Sequence, residues 1–323
     1  MSGFLPPFLL EFSSSFTMSL VFIFPGQASQ YVGMGSDLYE SSTLAREVFD
    51  LAEEISGAGL KTACFEGPDE ALKQTIVTQP AVFAHSVASF LIVKEMGIAP
   101  EFVAGHSVGE LAALVASGVL SIEDGLRLVS VRASAMHEAG QQRRGTMAAI
   151  LGLDPDAVSL SCEAGRKAGV VVPANYNCPG QIVISGDVEA VQKAMQAARE
   201  IGAKRAIELQ VSGAFHSELM KPAQAALADA IEDIVFSAPD VPVVPNVTAE
   251  PCLDPVELKS LLIDQIISPV KWSDSMTKLA GMGMQRAFEV GPGNTLKTLM
   301  RRIDKTINVS SAGTLADLED LSI

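Results

Sequence analysis

The apolar run LVFIF at 20–24 is ended at once by Pro25 and Gly26, a pattern that predicts a short buried strand entering a turn. The loop PGQASQ then lies at that strand's carboxyl end, and YVGMGSDLYE leads on into a helix. An alanine-rich helix is predicted over about 80–96, broken by Gly97 and Pro100, and FVAG at 102–105 gives a second strand. LAALVAS forms a helix directly after GHSVGE, and a long helix over about 121–139 carries Arg127, Arg132 and His137. It ends near Gly140 in the basic turn QQRRG, which is the first lobe boundary.

From 146 to 212 the pattern changes to strand TMAAIL, helix DPDAVSLSCEAGRKAG, strand VVVPANY, turn NCPG, strand QIVISG, helix VEAVQKAMQAAREIG and strand AKRAIELQVS. This βαββαβ order is that of ferredoxin-like domains, with NCPG closing the central hairpin. A helix over 218–235, a strand VPVVPN, a helix over 255–267 and a strand RAFEV then lead to the turn Gly291–Pro292–Gly293. The fold class expected is α/β: a large α/β-hydrolase-like lobe with a parallel sheet, 18–140 and 213–310, into which a ferredoxin-like small lobe, 141–212, is inserted. Residues 1–17 are expected to be an extension ahead of a start at Met18, and 311–323 a C-terminal tail.

Composition narrows the class. With 323 residues, 48% of them apolar and 19% charged, the chain can bury a large core and is not disordered. A net charge of -15 disfavours nucleic acid and anionic membranes, so an anionic ligand must meet a local basic patch. Cys64, Cys162, Cys178 and Cys252 are scattered, which indicates neither a zinc site nor a disulfide framework but reduced thiols in a cytoplasm. The first basic side chain is Arg46, which argues against a secretory or transit signal, and no stretch of about 20 apolar residues predicts a membrane span.

The chemistry centres on Gly105–His106–Ser107–Val108–Gly109, a GxSxG pattern between a predicted strand and a predicted helix. Such an elbow presents a serine hydroxyl at a helix amino end, where backbone amides and the helix dipole favour developing negative charge. Ser107 needs a base, and the chain offers His85, His106, His137 and His216. His85 and His137 fall inside helices and read as structural. His106 points away from its neighbour and reads as a packing residue. His216, in SGAFHS at the hinge between lobes, is the candidate base.

FPGQASQ, TQPA, GHSVGE, Arg132 in its long helix, NYNCPGQIVISG, AKRA, GAFHSELM, SPVKW and EVGPG occur in order over about 20–300. Together they resemble the malonyl-CoA:acyl carrier protein transacylase family. The resemblance implies that Ser107 takes a malonyl group from malonyl-CoA and passes it, by a ping-pong route, to the phosphopantetheine thiol of acyl carrier protein. That activity supplies fatty acid or polyketide synthesis. It also implies that a main-chain carbonyl at Gln265 orients His216, that the amides of Gln27 and Val108 form an oxyanion hole, and that Arg132 grips the malonyl carboxylate. Val108 and Phe215 look like malonyl-selective forms, Phe215 crowding a branched acyl group. Lys204 and Arg205 resemble positions that meet coenzyme A phosphates, and Arg143 and Arg144 could extend an anionic docking surface. Asn175, counted with the substrate-binding set, and Gln79 read as scaffold hydrogen bonders. No metal or bound cofactor is expected, and a monomer is. Two alternatives stay open: a serine thioesterase or esterase using the same elbow, and a non-catalytic module that binds carrier protein.

Overall fold

A computed structural model describes residues 19–57 and 59–321; the expectation for 1–17 lies outside them. Strands β1 (Ser19–Phe24), β2 (Phe102–Gly105), β3 (Gly145–Leu151), β4 (Val171–Cys178), β5 (Gln181–Asp187), β6 (Arg205–Glu208), β7 (Val243–Val244), β8 (Met284–Glu289) and β9 (Asn308–Ser311) form two sheets.

The first sheet has the order β7-β2-β1-β8-β9, with every pairing parallel. Parallel strands are covered on both faces, which is why β1 is an unbroken apolar run rather than an alternating one. Its side chains divide by parity. Phe22 and Phe24 join the core that contains Phe83, Val87, Phe90 and Leu111, whereas Val21 and Ile23 join the core of Trp272, Met276 and Leu279. Phe22 stacks on Phe288 with centroids 5.8 Å apart and meets Phe90 edge-on.

The helix predicted from 80 starts earlier, at Thr75–Glu95, with Pro80 inside it. Pro80 removes one backbone donor within the helix. Thr78 Oγ1 donates to the Leu72 carbonyl and lies within hydrogen-bond distance of the Gln74 carbonyl, tying down this first turn. The helix is long and apolar enough to cross a membrane, but 78% of the relevant window is buried inside the fold, as in a central core helix.

The second sheet is antiparallel, in the order β4-β5-β3-β6. Helices Pro155–Gly165 and Val188–Glu200 share with it a separate core that includes Ile150, Val158, Ile184 and Val191. The βαββαβ order and this strand order together give the ferredoxin-like arrangement. The edge strand β4 of this sheet is bridged to the segment around Val270 of the large lobe: Tyr176 N donates to the Val270 carbonyl (2.9 Å) and Val270 N to the Ala174 carbonyl (2.8 Å).

Three elements are shorter than the sequence pattern predicts. β6 stops at Glu208, because the chain leaves the sheet for Ser212 and Gly213, which pack against Gly140. β7 has two residues, confined between Pro242 and Pro245. The helix expected over 218–235 is a 3-10 turn, Glu218–Met220, followed by Lys221–Ile231. The chain past β8 is more ordered than a tail. β9 pairs with β8, the Gly313 carbonyl accepts from His85 Nε2 (2.6 Å), and Thr314 and Asp317 form a capping box on Leu315–Glu319.

Candidate active site

β2 ends at Gly105 and helix Gly109–Ala116 begins four residues later, leaving Ser107 on a turn with φ of +53°. Glycine is required on both sides. A Cβ on Gly105 would lie 2.0 Å from the Gly109 carbonyl carbon, and one on Gly109 would lie 2.2 Å from the Phe24 carbonyl oxygen. The PGQ loop presses on the same elbow, since a Cβ on Gly26 would sit 2.5 Å from the His106 carbonyl oxygen. Gln27, half-buried, follows this contact in the chain, while Val108 occupies the N-cap position of the following helix.

Ser107 Oγ lies 2.8 Å from His216 Nε2. His216 Nδ1 faces two main-chain carbonyls, those of Gln265 (3.0 Å) and Ser268 (3.2 Å). Carbonyls only accept, so Nδ1 carries the proton and Nε2 is left as an acceptor for the serine hydroxyl. Burial, reinforced by the Arg132 guanidinium, drives the imidazole down to about 3 and keeps it neutral. Ser107, His216 and Ala28, next to Gln27, are three of the four non-glycine residues with positive φ among the described residues. Strain of this kind gathers where geometry must be imposed.

Arg132 projects from helix Ile122–Gln142 and is 1% exposed. Its Nη1 donates to Gln79 Oε1 (2.5 Å) and its Nη2 to Gln265 Oε1 (3.0 Å) and Ser107 Oγ (3.1 Å). Gln265 also donates from Nε2 to the Ser107 carbonyl (3.0 Å), so both its backbone and its side chain serve the site. Burial lowers the Arg132 pKa to about 10 and raises that of Glu110 to about 7.

The structure thus brings together Ser107, His216, Gln265 and Arg132, with Val108 next to Ser107 in the chain. Phe215 is buried beside His216 in the large core. Asn175 sits on β4, its backbone bridged to Val270, and it is Asn177 that reaches His106 Nε2 (2.9 Å). His106 packs edge-on against Trp272, in line with its packing assignment. Lys204 and Arg205 are exposed at the start of β6, the outer strand of the small sheet. Arg143, one of the two arginines expected to extend a docking surface, is exposed and paired with Asp187 through Nε (3.0 Å) and Nη2 (2.8 Å). Gln79, read from the sequence as a scaffold hydrogen bonder, accepts from Arg132, whereas sequence reasoning passed over Glu110 and Asn246. Asn246 Oδ1 accepts from Ser107 N (2.7 Å) and its Nδ2 donates to the Gly105 carbonyl (2.6 Å). The only sequence signals of Glu110 and Asn246 were positions inside GHSVGE and VPVVPN.

A serine hydroxyl donating to a neutral imidazole, on an elbow at the carboxyl edge of a parallel sheet, defines a site of the serine–histidine acyl-transfer class. The family described as acyl transferase domain matches residues 21–318. A malonyl CoA-acyl carrier protein transacylase of Bacillus subtilis (strain 168) is 44% identical over 300 residues, covering 92% of this chain and 95% of that protein. An acyl carrier protein S-malonyltransferase from Vibrio cholerae has a similar structure, with a TM-score of 0.90 and 39% identity over 94% of this chain and 100% of that one. A malonyl-transacylase in complex with a type II PKS acyl-carrier protein gives the same TM-score, 0.90, at 37% identity over 93% and 98% of the two chains. The chain belongs to the malonyl CoA-acyl carrier protein transacylase family.

Proposed function

We propose that this protein moves a malonyl group from malonyl-CoA to the phosphopantetheine thiol of an acyl carrier protein through an ester on Ser107. As Ser107 Oγ attacks the thioester carbonyl, His216 Nε2 takes its proton. The tetrahedral oxyanion is received by the amides of Gln27 and Val108. Collapse breaks the carbon–sulfur bond, and coenzyme A leaves as its thiol with the proton from His216. In the second half the carrier thiol gives its proton to His216 while its sulfur attacks the ester, and Ser107 recovers its own. The sequence is ping-pong and draws on no metal or cofactor.

The single observation that carries this reading is the convergence on Ser107 Oγ of His216 Nε2 at 2.8 Å and Arg132 Nη2 at 3.1 Å. A base alone would suit any hydrolase. A buried guanidinium at the same oxygen suits an acyl group that ends in a carboxylate. The remaining assignments fit this reading: Phe215 narrows the acyl end, and the exposed Lys204 and Arg205 meet coenzyme A phosphates. Four buried, unpaired cysteines suit a cytoplasmic setting. Intact mass spectrometry after exposure to malonyl-CoA should show one malonyl added to the wild type and none to Ser107→Ala. The adduct should discharge onto holo carrier protein and only slowly onto water; rapid hydrolysis would assign the site to a thioesterase instead.

A further inference from the structure

The Ser107–His216 pair is built from two segments remote in sequence, and one residue ties them together, its side chain to the elbow and its main chain to the segment beyond Ser268. Asn246 follows the short strand β7 and is 1% exposed. Its carboxamide grips the elbow on both flanks, accepting from Ser107 N at 2.7 Å and donating to the Gly105 carbonyl at 2.6 Å. Its own amide donates to Glu110 Oε2 (2.7 Å), on the helix that the elbow starts. Its carbonyl accepts from Lys271 N (3.0 Å), three residues beyond Ser268, whose carbonyl holds His216 Nδ1.

From this connectivity we infer that Asn246 is a positioning residue for acyl transfer: it sets the nucleophile in register with the segment that orients the base. Two consequences follow. The left-handed conformation of Ser107, costly for a residue with a Cβ, is held by the two side-chain bonds on either side of it. The Ser107 amide is also consumed by Asn246, so it is withdrawn from the oxyanion, which leaves the next amide, that of Val108, to act there. Glu110 completes the clasp from below and does not touch the reacting oxygen.

The inference rests on the acyl-transfer reading above, and its test separates the two. Asn246→Ala removes both contacts, while Asn246→Asp keeps the volume and the acceptor for Ser107 N but loses the donor to Gly105. Single-turnover loading by malonyl-CoA, followed by intact mass, gives an acylation rate and an apparent KM. Misplacement of a reacting group by about 1 Å costs about a hundredfold. Asn246→Ala should therefore lose about that much in acylation rate with KM unchanged, and Asn246→Asp should fall between it and wild type. Sulfonylation of Ser107 by phenylmethanesulfonyl fluoride, which needs no malonyl pocket, should slow in the same order. Thermal unfolding confirms that the variants compared are folded; where Asn246→Ala does not fold, Asn246→Asp decides. A folded variant that loads and sulfonylates at the wild-type rate, or one whose loss lies wholly in KM, overturns the assignment. A wild type that never takes up malonyl defeats the functional reading instead, and the sulfonylation ratio still decides the role of Asn246.

Discussion

Replacing Arg132 with alanine puts the carboxylate clamp to a quantitative test. The guanidinium is 1% exposed and donates only to the neutral oxygens of Gln79, Gln265 and Ser107. With a pKa of about 10 it remains a cation at neutral pH. Its counter-charge is incomplete, because burial holds Glu110 at about 7, near half-protonation under the same conditions. Under the proposed function, a substrate carboxylate would supply the missing charge. Removing one partner from such a buried pair costs about 3–5 kcal/mol, or roughly two to four powers of ten in kcat/KM. Acetyl-CoA gains nothing from the guanidinium and in the wild type must leave it buried and unpaired, a penalty that Arg132→Ala abolishes. The observable is the ratio of kcat/KM for malonyl-CoA to that for acetyl-CoA, measured with holo carrier protein as acceptor. It should collapse in Arg132→Ala. An unchanged ratio in a folded variant would refute the clamp.

Because burial and Arg132 hold His216 at about 3, loading of Ser107 should show no acid limb near pH 6.5, the ordinary imidazole value, since the base stays neutral well below it. Arg132→Ala removes one of those causes, so whatever acid limb exists should move to higher pH; a wild-type limb near 6.5 would contradict the assignment. Glu289 is fully buried, accepts from Leu296 N and Lys297 N at 2.8 Å each, and so caps helix Thr295–Ile303. Its carboxyl is raised from 4.5 to about 7 by burial, so its folded-state advantage is complete below pH 4.5 and is lost as pH climbs through 7. Denaturant unfolding at pH 5 and pH 8 should show the wild type losing about 2.5 kcal/mol relative to Glu289→Gln over that interval, and a pH-independent difference would dismiss the mechanism.

What could be read in the sequence was what the backbone demands locally. Gly105 and Gly109 are legible because a Cβ at either would strike main chain at 2.0–2.2 Å, so the elbow is written within five residues. The apolar run of β1 and the βαββαβ order of the small lobe are legible for the same reason. Elements whose ends are decided elsewhere were not. Helix Thr75–Glu95 continues ahead of Pro80 because its neighbours bury it on nearly all sides, and β6 ends where the chain must return to Gly140. β9 exists because β8 offers it an edge.

The same division runs through the site. Ser107 and His216, the candidate nucleophile and base, each sit in a recognisable sequence motif, have a positive φ, and lie within hydrogen-bond distance of each other. Gln79, Glu110 and Asn246 have ordinary local surroundings, and they matter only through bonds that close over 53, 136 and 139 residues of chain. Gln265 lies between these cases. Its carbonyl was expected to orient His216, but its side chain, bonded to both Arg132 and the Ser107 carbonyl, was unforeseen. That double use makes Gln265 the physical link between clamp and nucleophile. Under the proposed function, a carboxylate that draws Arg132 toward itself would pull on the residue that holds both Ser107 and His216, so acyl selection and acyl transfer would share one hydrogen-bond network rather than two adjacent sites.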